Sequence, residues 1–385
     1  MRIALCGTRG IPACYGGFET FAEQVSERLV KRGHEVTVYG RKHVIKYDQS
    51  TYKGAKIRLI PAPKSKYLET PIHTLLSLID VVLRRQTDVV LVCNAANSAF
   101  LWLPRLFGIP VAVNVDGIER LRAKWNSLGK LWYRIGEQCS VWFASAVISD
   151  AQVIADYYQE NYNSSSTVIP YGCDRSCDKF VDDKLNDLYS GISENAAFSV
   201  YEKLGIKPNE YLLYLSRLEP ENNAHVVIEA YNRLPERMKN YPLIIVGDAP
   251  YADQYKAKIR QMAGSGVSFV GAHFGAAYSA LQIGARVYLQ ATEVGGTHPA
   301  LVESMGYGNC IVANGTPEHY EVLADTGVFY NKNDAGHLCE QLRYLLEKSE
   351  EIKKFRKLAA ARARSVYDWD VVTTAYEGLL QSICR

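Results

Sequence analysis

The sequence predicts an α/β protein built from two doubly wound domains, each with a Rossmann-like parallel sheet. Short runs rich in β-branched residues alternate with amphipathic segments along the chain. The alternation stops in a polar stretch around residues 160–198 and then restarts. With 385 residues and 48% hydrophobic composition, the chain is long enough for two hydrophobic cores.

The first half contains six candidate strands, which read "RIALC", "EVTVY", "DVVLVC", "VAVNV", "AVIS" and "TVIP". Between the first two lies a predicted helix, and Gly33 follows it where a left-handed cap belongs. One face of this helix is apolar and carries Phe18, Phe21, Ala22, Val25 and Leu29. Strands that alternate with helices are joined by right-handed crossovers, so we expect a parallel sheet.

The second half repeats the pattern with "YLLYLS", "PLIIVG", "VSFVG", "ARVYLQ" and "NCIVAN". We therefore expect an N-terminal domain over residues 1–172, a linker over 173–200 and a C-terminal domain over 201–368. Ligands of such sheets bind beyond the carboxyl ends of the strands, so two facing sets of loops would form a cleft.

Charge is unevenly distributed. Residues 1–170 hold 21 Lys and Arg against 14 Asp and Glu, whereas the net charge of the whole chain is only +3, so the remainder sums to −4. A basic half of this modest density fits phosphates or an anionic membrane surface, and an unevenly charged solvated surface fits equally well.

Composition also predicts a compartment. The nine cysteines are odd in number and include no C-x-x-C pair, which fits a reducing cytoplasm. The N-terminus runs directly into a strand, and no apolar run reaches the roughly 18 residues that spanning needs. We expect a cytoplasmic protein that is neither exported nor membrane-spanning.

The strand-end rule turns the strands into candidate site residues. In the first domain it selects the Gly-rich loop after "RIALC" and the polar residues that follow later strands, which are Asn94, Asp116, Asp150 and Tyr171. In the second domain it selects Ser216, Arg217, Gly247, Asp248 and the segment "TEVGGTHPALVE".

The opening loop has neither the G-K-[ST] of a P-loop nor G-x-G-x-x-G spacing. A nicotinamide site would want an acid after the second strand, where this chain has "YGRKH", and an NADP site using Arg41 stays open. Gly16 and Gly17 stand at a helix start, where backbone N–H groups and the helix dipole can hold a phosphate. Glycines that serve only a tight turn are the alternative.

A second paired-glycine loop, "VGGTHPALVESMGYG", also leads into a helix, with Pro299 near its first turn. Glu303 lies one turn further in, where a carboxylate can accept hydrogen bonds from the vicinal hydroxyls of a sugar. Two loops that suit phosphate and sugar predict a nucleotide-sugar ligand.

Five motifs make the chain resemble a GT-B glycosyltransferase of family 4, and within it the bacterial rhamnosyltransferase group with a DUF1972 N-terminal region. They are "GTRGIPACYGGFETF", "DGIERLRAKW", "IPYGCD", "RLEPENN" and "VGGTHPALVESM". The resemblance implies a donor diphosphate held by the Gly16 and Gly17 amides with Arg217, and a ribose held by Glu303. It also implies dTDP-rhamnose as donor, a lipid-pyrophosphate-linked sugar acceptor in capsule or cell-wall assembly, and a terminal helix (369–385) returned to the first domain.

Two departures from the family pattern concern the donor site. Family 4 usually carries two spaced glutamates, but the earlier position is Gly295 here and the nearest acid is Glu293. The usual Arg-x4-Lys pair is Arg217 and Asn222. Both departures favour the rhamnosyltransferase group, and the implied donor site includes all these residues together with the loop residues Gly296 and Thr297.

The resemblance also implies retention of anomeric configuration by front-face attack. Asp116, Asp150 and Tyr171 are then the candidates for orienting the acceptor or aiding proton transfer, although either aspartate would also suit a helix cap. Two other classes stay open: a GT-B-type nucleotide-sugar epimerase and a non-catalytic sugar-nucleotide-binding protein.

The acceptor side is predicted from "ERLRAKWNSLGKLWYRIGEQ", which mixes cations with aromatic residues. Such a segment suits an anionic membrane interface, with Arg122 and Lys124 near the acceptor phosphates, and amphipathic core packing is the alternative. The "DWD" at 368–370 imitates a metal motif but precedes a helix, so capping is favoured and we expect no metal or other cofactor. His298 suits donor contact and loop packing equally.

Overall fold

A computed structural model describes residues 1–13, 16–65, 67–121, 125–174, 194–249 and 252–384. The chain divides into two compact units. The first comprises Met1–Gly172, Gly295–Thr297 and Trp369–Arg385, and the second comprises Cys173–Val294 and His298–Asp368. Most of the linker expected over 173–200, namely residues 175–193, lies outside the described residues.

The first unit is built on an eight-stranded sheet in the order β3-β4-β2-β1-β5-β6-β7-β8. Neighbours pair in parallel except β3 with β4. The strands are β1 (Arg2–Cys6), β2 (Glu35–Arg41), β3 (Thr51–Tyr52), β4 (Ala55–Ile60), β5 (Val89–Cys93), β6 (Val111–Asn114), β7 (Ala146–Ser149) and β8 (Thr167–Val168). The six predicted strands are confirmed, whereas β3 and β4 were not predicted from the sequence.

The helices of this unit cover both faces of the sheet. They are α1 (Gly17–Lys31), α2 (Glu69–Arg84), α3 (Trp102–Leu106), α4 (Ser127–Phe143), α5 (Gln152–Tyr162) and the terminal helix α14 (Trp369–Ile383). The crossovers from β4 to β5 and on to β8 all run in one direction along the sheet, whereas β1 to β2 runs in the other. Because such crossovers are right-handed, α2 to α5 lie on one face and α1 lies on the opposite face.

Helix α1 shows how the sequence produces this packing. Phe21, Val25 and Leu29 recur at helical spacing and are buried against the sheet. The Phe21 ring lies 4.9 Å from the ring of Tyr376 in α14, so the terminal helix packs beside α1. Gly33 has φ +85° after the helix and donates its N–H to the Val30 carbonyl, which confirms the predicted left-handed cap.

The second unit is a fully parallel six-stranded sheet in the order β11-β10-β9-β12-β13-β14. Its strands are β9 (Leu212–Leu215), β10 (Leu243–Val246), β11 (Val267–Gly271), β12 (Val287–Gln290), β13 (Cys310–Asn314) and β14 (Val328–Tyr330). Its helices are α6 (Glu194–Leu204), α7 (Ala224–Asn232), α8 (Asp253–Met262), α9 (Gly275–Ile283), α10 (Pro299–Gly306), α11 (Pro317–Leu323), α12 (Ala335–Glu347) and α13 (Ser349–Val366).

The central strands of both sheets are apolar along their length because helices cover them on both sides. All residues of β5, β6, β10 and β12 are buried, and those of β1 are buried after Arg2. The α/β class with two Rossmann-like parallel sheets is therefore confirmed. Among the described residues, no helix combines the length and apolar character that crossing a bilayer requires.

Candidate active site

The carboxyl ends of β1, β5, β6, β7 and β8 lie side by side along one edge of the first sheet. Parallel pairing joins Cys93 to Asn114 and Ser149 to Val168, so the residues that follow these strands share that edge. Asp150 and Tyr171 therefore follow neighbouring strands of the sheet, since β7 pairs with β8.

The loop between β1 and α1 holds a buried acid that the sequence analysis missed. Glu19 lies in the first turn of α1, and one of its carboxylate oxygens accepts the Arg9 N–H at 2.9 Å. Burial raises its pKa, and the Arg9 backbone N–H acts in the opposite direction. The available signal was an acid two residues after the paired glycines, at a helix start that favours negative charge.

Glycine is required at position 16. Gly16 has φ +111°, and a Cβ built there would stand 2.4 Å from the Oε2 atom of Glu19. Gly16 is exposed and Gly17 is half-buried at the first helical position, so the N-terminal amides of α1 open toward solvent. A phosphate at these amides would share the helix start with the Glu19 carboxyl group.

Asp116 and Asp150 form an acid pair at the ends of β6 and β7. Asp116 adopts a left-handed backbone with φ +53°, and its N–H donates to the Asn114 side chain at 2.9 Å. Asp150 is buried, and burial together with the neighbouring Asp116 carboxyl raises the pKa of Asp150 well above its ordinary value. The arrangement favours one proton held between the two acids.

A short loop segment grouped with the first unit completes this acid site. The Thr297 N–H donates to the Oδ2 atom of Asp150 at 2.7 Å, and the Thr297 hydroxyl donates to the Asp150 carbonyl oxygen. A Cβ at Gly296 would stand 2.1 Å from the Oδ1 atom of Asp150. One at Gly117 would stand 3.0 Å from the Gly296 nitrogen. Glycines 117 and 296 therefore permit the close approach.

Tyr171 follows β8 but is packed against the terminal helix. Its ring is buried and meets the Trp369 ring edge-on, with the centroids 4.9 Å apart. A Cβ at the next residue, Gly172, would stand 2.4 Å from the Trp369 ring. The sequence analysis placed Tyr171 at a ligand-binding edge and did not predict this aromatic contact.

In the second unit, β9 and β12 are neighbours, so their carboxyl ends also share an edge. Arg217 follows β9, retains 36% side-chain exposure and lies 3.6 Å from the Glu219 carboxylate. Asn222 is buried, and its side-chain N–H donates to the Arg217 carbonyl at 2.7 Å. The structure thus gives Asn222 a role in shaping the loop that carries Arg217.

Glu303 lies in α10, after the paired-glycine loop that follows β12. It accepts a hydrogen bond from the Tyr278 hydroxyl of α9. Burial and the Glu303 carboxylate raise the pKa of Tyr278 well above its ordinary value, so the phenol stays protonated and donates. Tyr278 is a second residue that the sequence analysis missed, because 25 residues separate it from Glu303.

Glu293 and the start of α10 are held by amide and imidazole groups. Asn333 donates to the Oε2 atom of Glu293 at 2.6 Å. The Thr292 hydroxyl lies 3.3 Å from the Nε2 atoms of both His298 and His319. His319 is buried, which lowers its pKa to about 4, and its Nδ1 donates to a backbone carbonyl. His298 therefore makes loop-packing contacts, and its contact with a donor stays a prediction.

Two predicted residues, Arg122 and Lys124, lie outside the described residues. Just before them, Arg120 approaches the buried Glu137 carboxylate at 3.3 Å and donates to the Tyr157 hydroxyl. Among the described residues, no group of three or more histidine, cysteine or acidic side chains is arranged to hold a metal ion. Asp368 precedes α14, whereas Trp369 and Asp370 belong to its first turn, so the "DWD" spans the start of the terminal helix.

Two family models match this chain. Residues 1–174 match a domain of unknown function, DUF1972, and residues 200–362 match "Glycosyl transferases group 1". Most of the second unit therefore matches a model of glycosyl transferases. A curated relative, the O-antigen chain mannosyltransferase B of Escherichia coli, is 25% identical over 180 residues. The match covers 46% of this chain, and the chain spans about half, 46%, of that relative.

Several solved structures share the fold of this chain over nearly its whole length. Sucrose-phosphate synthase of Thermosynechococcus elongatus superposes with a TM-score of 0.81 at 16% identity, covering 99% of this chain and 98% of that one. HepE of Anabaena in complex with UDP gives 0.76 at 18%, covering 99% and 100%. WaaG, a glycosyltransferase involved in lipopolysaccharide biosynthesis, gives 0.72 at 17%, covering 98% and 99%. The fold is that of the GT-B glycosyltransferases.

Proposed function

We propose that this protein is a retaining glycosyltransferase that moves a sugar from a nucleotide-sugar donor to a lipid-pyrophosphate-linked sugar acceptor. The preferred donor in this proposal is dTDP-rhamnose, and the product belongs to capsule or cell-wall polysaccharide. The group 1 domain over residues 200–362 and the structure of HepE with UDP support nucleotide-sugar chemistry. The O-antigen and lipopolysaccharide relatives support a polysaccharide product.

One observation carries the donor side of the proposal. Arg217 and α10 follow neighbouring strands, so a cation and the Glu303 carboxylate come to one edge of the second sheet. A guanidinium can bind diphosphate oxygens, and a carboxylate can accept from two ribose hydroxyls. The Tyr278 hydrogen bond holds Glu303 in place for this task. Gly16, Gly17, Asn222, Glu293, Gly295, Gly296 and Thr297 complete the proposed donor site.

The proposed reaction needs little covalent chemistry from the protein. The bond between the sugar C1 and the diphosphate oxygen breaks, and the acceptor oxygen bonds to C1 on the same face. The acceptor proton passes to the departing diphosphate, and the protein supplies positioning and charge stabilisation. Asp116, Asp150 and Tyr171 are the residues proposed to orient the acceptor, and Arg122 and Lys124 to attract its phosphates. No metal enters the proposal.

A lipid-linked acceptor is held in a membrane, so we place the protein at the cytoplasmic face as a peripheral protein. The test combines purified protein with dTDP-rhamnose, UDP-glucose or GDP-mannose and a polyprenyl-pyrophosphate-linked sugar. We expect sugar transfer with dTDP-rhamnose that survives EDTA. Donor isomerisation without acceptor would indicate an epimerase, and binding without turnover would indicate a binding protein. Transfer from GDP-mannose alone would replace rhamnose by the sugar of the O-antigen relative.

A further inference from the structure

Large exposed apolar side chains are concentrated in the first unit. Thirteen of the eighteen large apolar side chains that are exposed in the described part of the chain lie between residues 67 and 142. The four most exposed of these, between 67% and 77% accessible, are Leu83, Leu106, Leu128 and Trp142. Exposed apolar side chains mark a binding surface where they lie together.

Most of these side chains belong to α2, α3 and α4, which follow one another across the same face of the first sheet. The crossovers that contain them link β4, β5, β6 and β7 in order along the sheet. Side-chain hydrogen bonds hold these helices to neighbouring segments. The Trp132 indole in α4 donates to the Ala96 carbonyl at 3.1 Å. Arg105 at the end of α3 donates to the Ser145 hydroxyl just after α4.

Helix α4 has one buried face and one exposed face. Tyr133, Gly136 and Ser140 are buried, and a Cβ at Gly136 would stand 2.4 Å from the Ala95 carbonyl oxygen. Leu128, Leu131, Ile135 and Trp142 are exposed at intervals of three, four and seven residues, so they form one outward stripe. The segment therefore packs internally on one face and leaves an apolar stripe on the other.

The charges around this surface have one sign. Its exposed charged residues in the described range 67–142 are all cations: Arg84, Arg85, Arg105, Lys130 and Arg134. Every acidic side chain in that range is partly or fully buried. Asp80 pairs with Arg84 at 2.8 Å, and Glu137 is buried beneath α4. An apolar surface with a cationic rim complements an anionic bilayer.

We propose that the outer faces of α2, α3 and α4 dock on an anionic lipid bilayer. The leucines enter the boundary between head groups and acyl chains, Trp102 and Trp142 lie at the level of the head groups, and the cations contact lipid phosphates. This inference rests on the peripheral placement in the proposed function and deepens it, because it assigns the membrane contact to the outer faces of three helices. Docking itself needs neither donor nor acceptor, so it can be measured separately from sugar transfer.

The test measures binding of the full chain to vesicles without acceptor, made of phosphatidylglycerol and phosphatidylethanolamine or of phosphatidylcholine alone. The charge variant is K130Q/R134Q, which removes two exposed cations of α4. Each cation near an anionic surface contributes about fivefold, so we expect about 25-fold weaker binding to the anionic vesicles. The matched control K353Q/K354Q in α13 removes two exposed cations elsewhere and should leave binding unchanged.

The apolar part is tested with L128S/L131S, which should weaken vesicle binding about tenfold or more while the melting temperature stays near that of the wild type. Brominated lipids should quench wild-type fluorescence, and W142F should lose part of that quenching. Trp369 is buried and should not contribute. Unchanged binding in both double variants would overturn the proposal. A wild-type dimer that L128S/L131S dissociates, with no vesicle binding, would replace the bilayer by a second copy. Vesicle binding without sugar transfer would refute the proposed function alone.

Discussion

Replacing Asp150 with asparagine tests the buried acid pair at the ends of β6 and β7. Burial and the Asp116 carboxyl raise the pKa of Asp150 well above its ordinary value. An asparagine has nearly the same shape as the protonated acid. Its oxygen can still accept the Thr297 N–H, which now reaches Asp150 at 2.7 Å, and its amide can donate to Asp116.

The sign of the effect follows from proton binding. A carboxyl whose pKa is higher in the folded than in the unfolded protein binds its proton more tightly when folded. Its contribution to stability is therefore fully present below the unfolded pKa of about 3.9 and is lost as pH rises toward the folded pKa. The loss reaches at most about 1.4 kcal/mol per pH unit between the unfolded and the folded pKa.

The asparagine variant lacks this titration, so the free energy of unfolding of Asp150→Asn minus that of the wild type should grow with pH. Urea unfolding at half-unit pH steps measures this difference, and the pH at which it levels off gives the folded pKa of Asp150. Asp156→Asn is the matched control, because Asp156 is exposed on α5 and its difference should stay flat. A difference for Asp150→Asn that shrinks as pH rises would show that Asp150 is ionised and stabilised by the Thr297 amide.

Three further predictions concern the donor side. Glu303→Gln and Arg217→Ala should each weaken nucleotide-sugar binding by about 1.5–3 kcal/mol in calorimetry, because each removes a charge-assisted hydrogen bond; unchanged affinity in both would remove them from the site. Gly16→Ala should lower the melting temperature more than Gly33→Ala. Both glycines have positive φ, but a new Cβ at position 16 would meet the Glu19 side chain, whereas one at position 33 would meet nothing within 4 Å. Donor binding should take up protons, because a phosphate at the start of α1 favours the protonated form of the neighbouring Glu19 carboxyl. Calorimetry in buffers of different ionisation enthalpy measures this uptake, and Glu19→Gln should abolish it.

The sheets could be predicted because their central strands are apolar throughout. Strands such as β5 and β6 are continuous runs of buried residues, and the strand-end rule then locates Asp116 and Asp150 without any coordinates. Strand β4, "AKIRLI", was missed since it is partly exposed and carries Lys56 and Arg58 between apolar residues. The local sequence there does not distinguish a strand from a polar loop.

The contacts between side chains distant in sequence could not be predicted. Asn333 holds Glu293 across 40 residues and Tyr278 holds Glu303 across 25. Tyr171 shows the same difficulty, because the partner that buries its ring, Trp369, belongs to the terminal helix. A strand-end position follows from local pattern, whereas a hydrogen-bond partner depends on how separate elements are packed.

Position and protonation state are therefore separate questions at Asp150. The end of β7 places its carboxyl beside Asp116, and this could be deduced from the strand order. Whether it is charged depends on burial and on the approach of Thr297, which lies 147 residues away in sequence. Burial and a second carboxyl favour the neutral acid, and the backbone N–H groups of Thr297 and of Asp150 itself favour the anion. A neutral Asp150 can donate a hydrogen bond to Asp116, so in the proposed reaction Asp116 is the one of the two that we expect to accept a hydrogen bond from the acceptor hydroxyl.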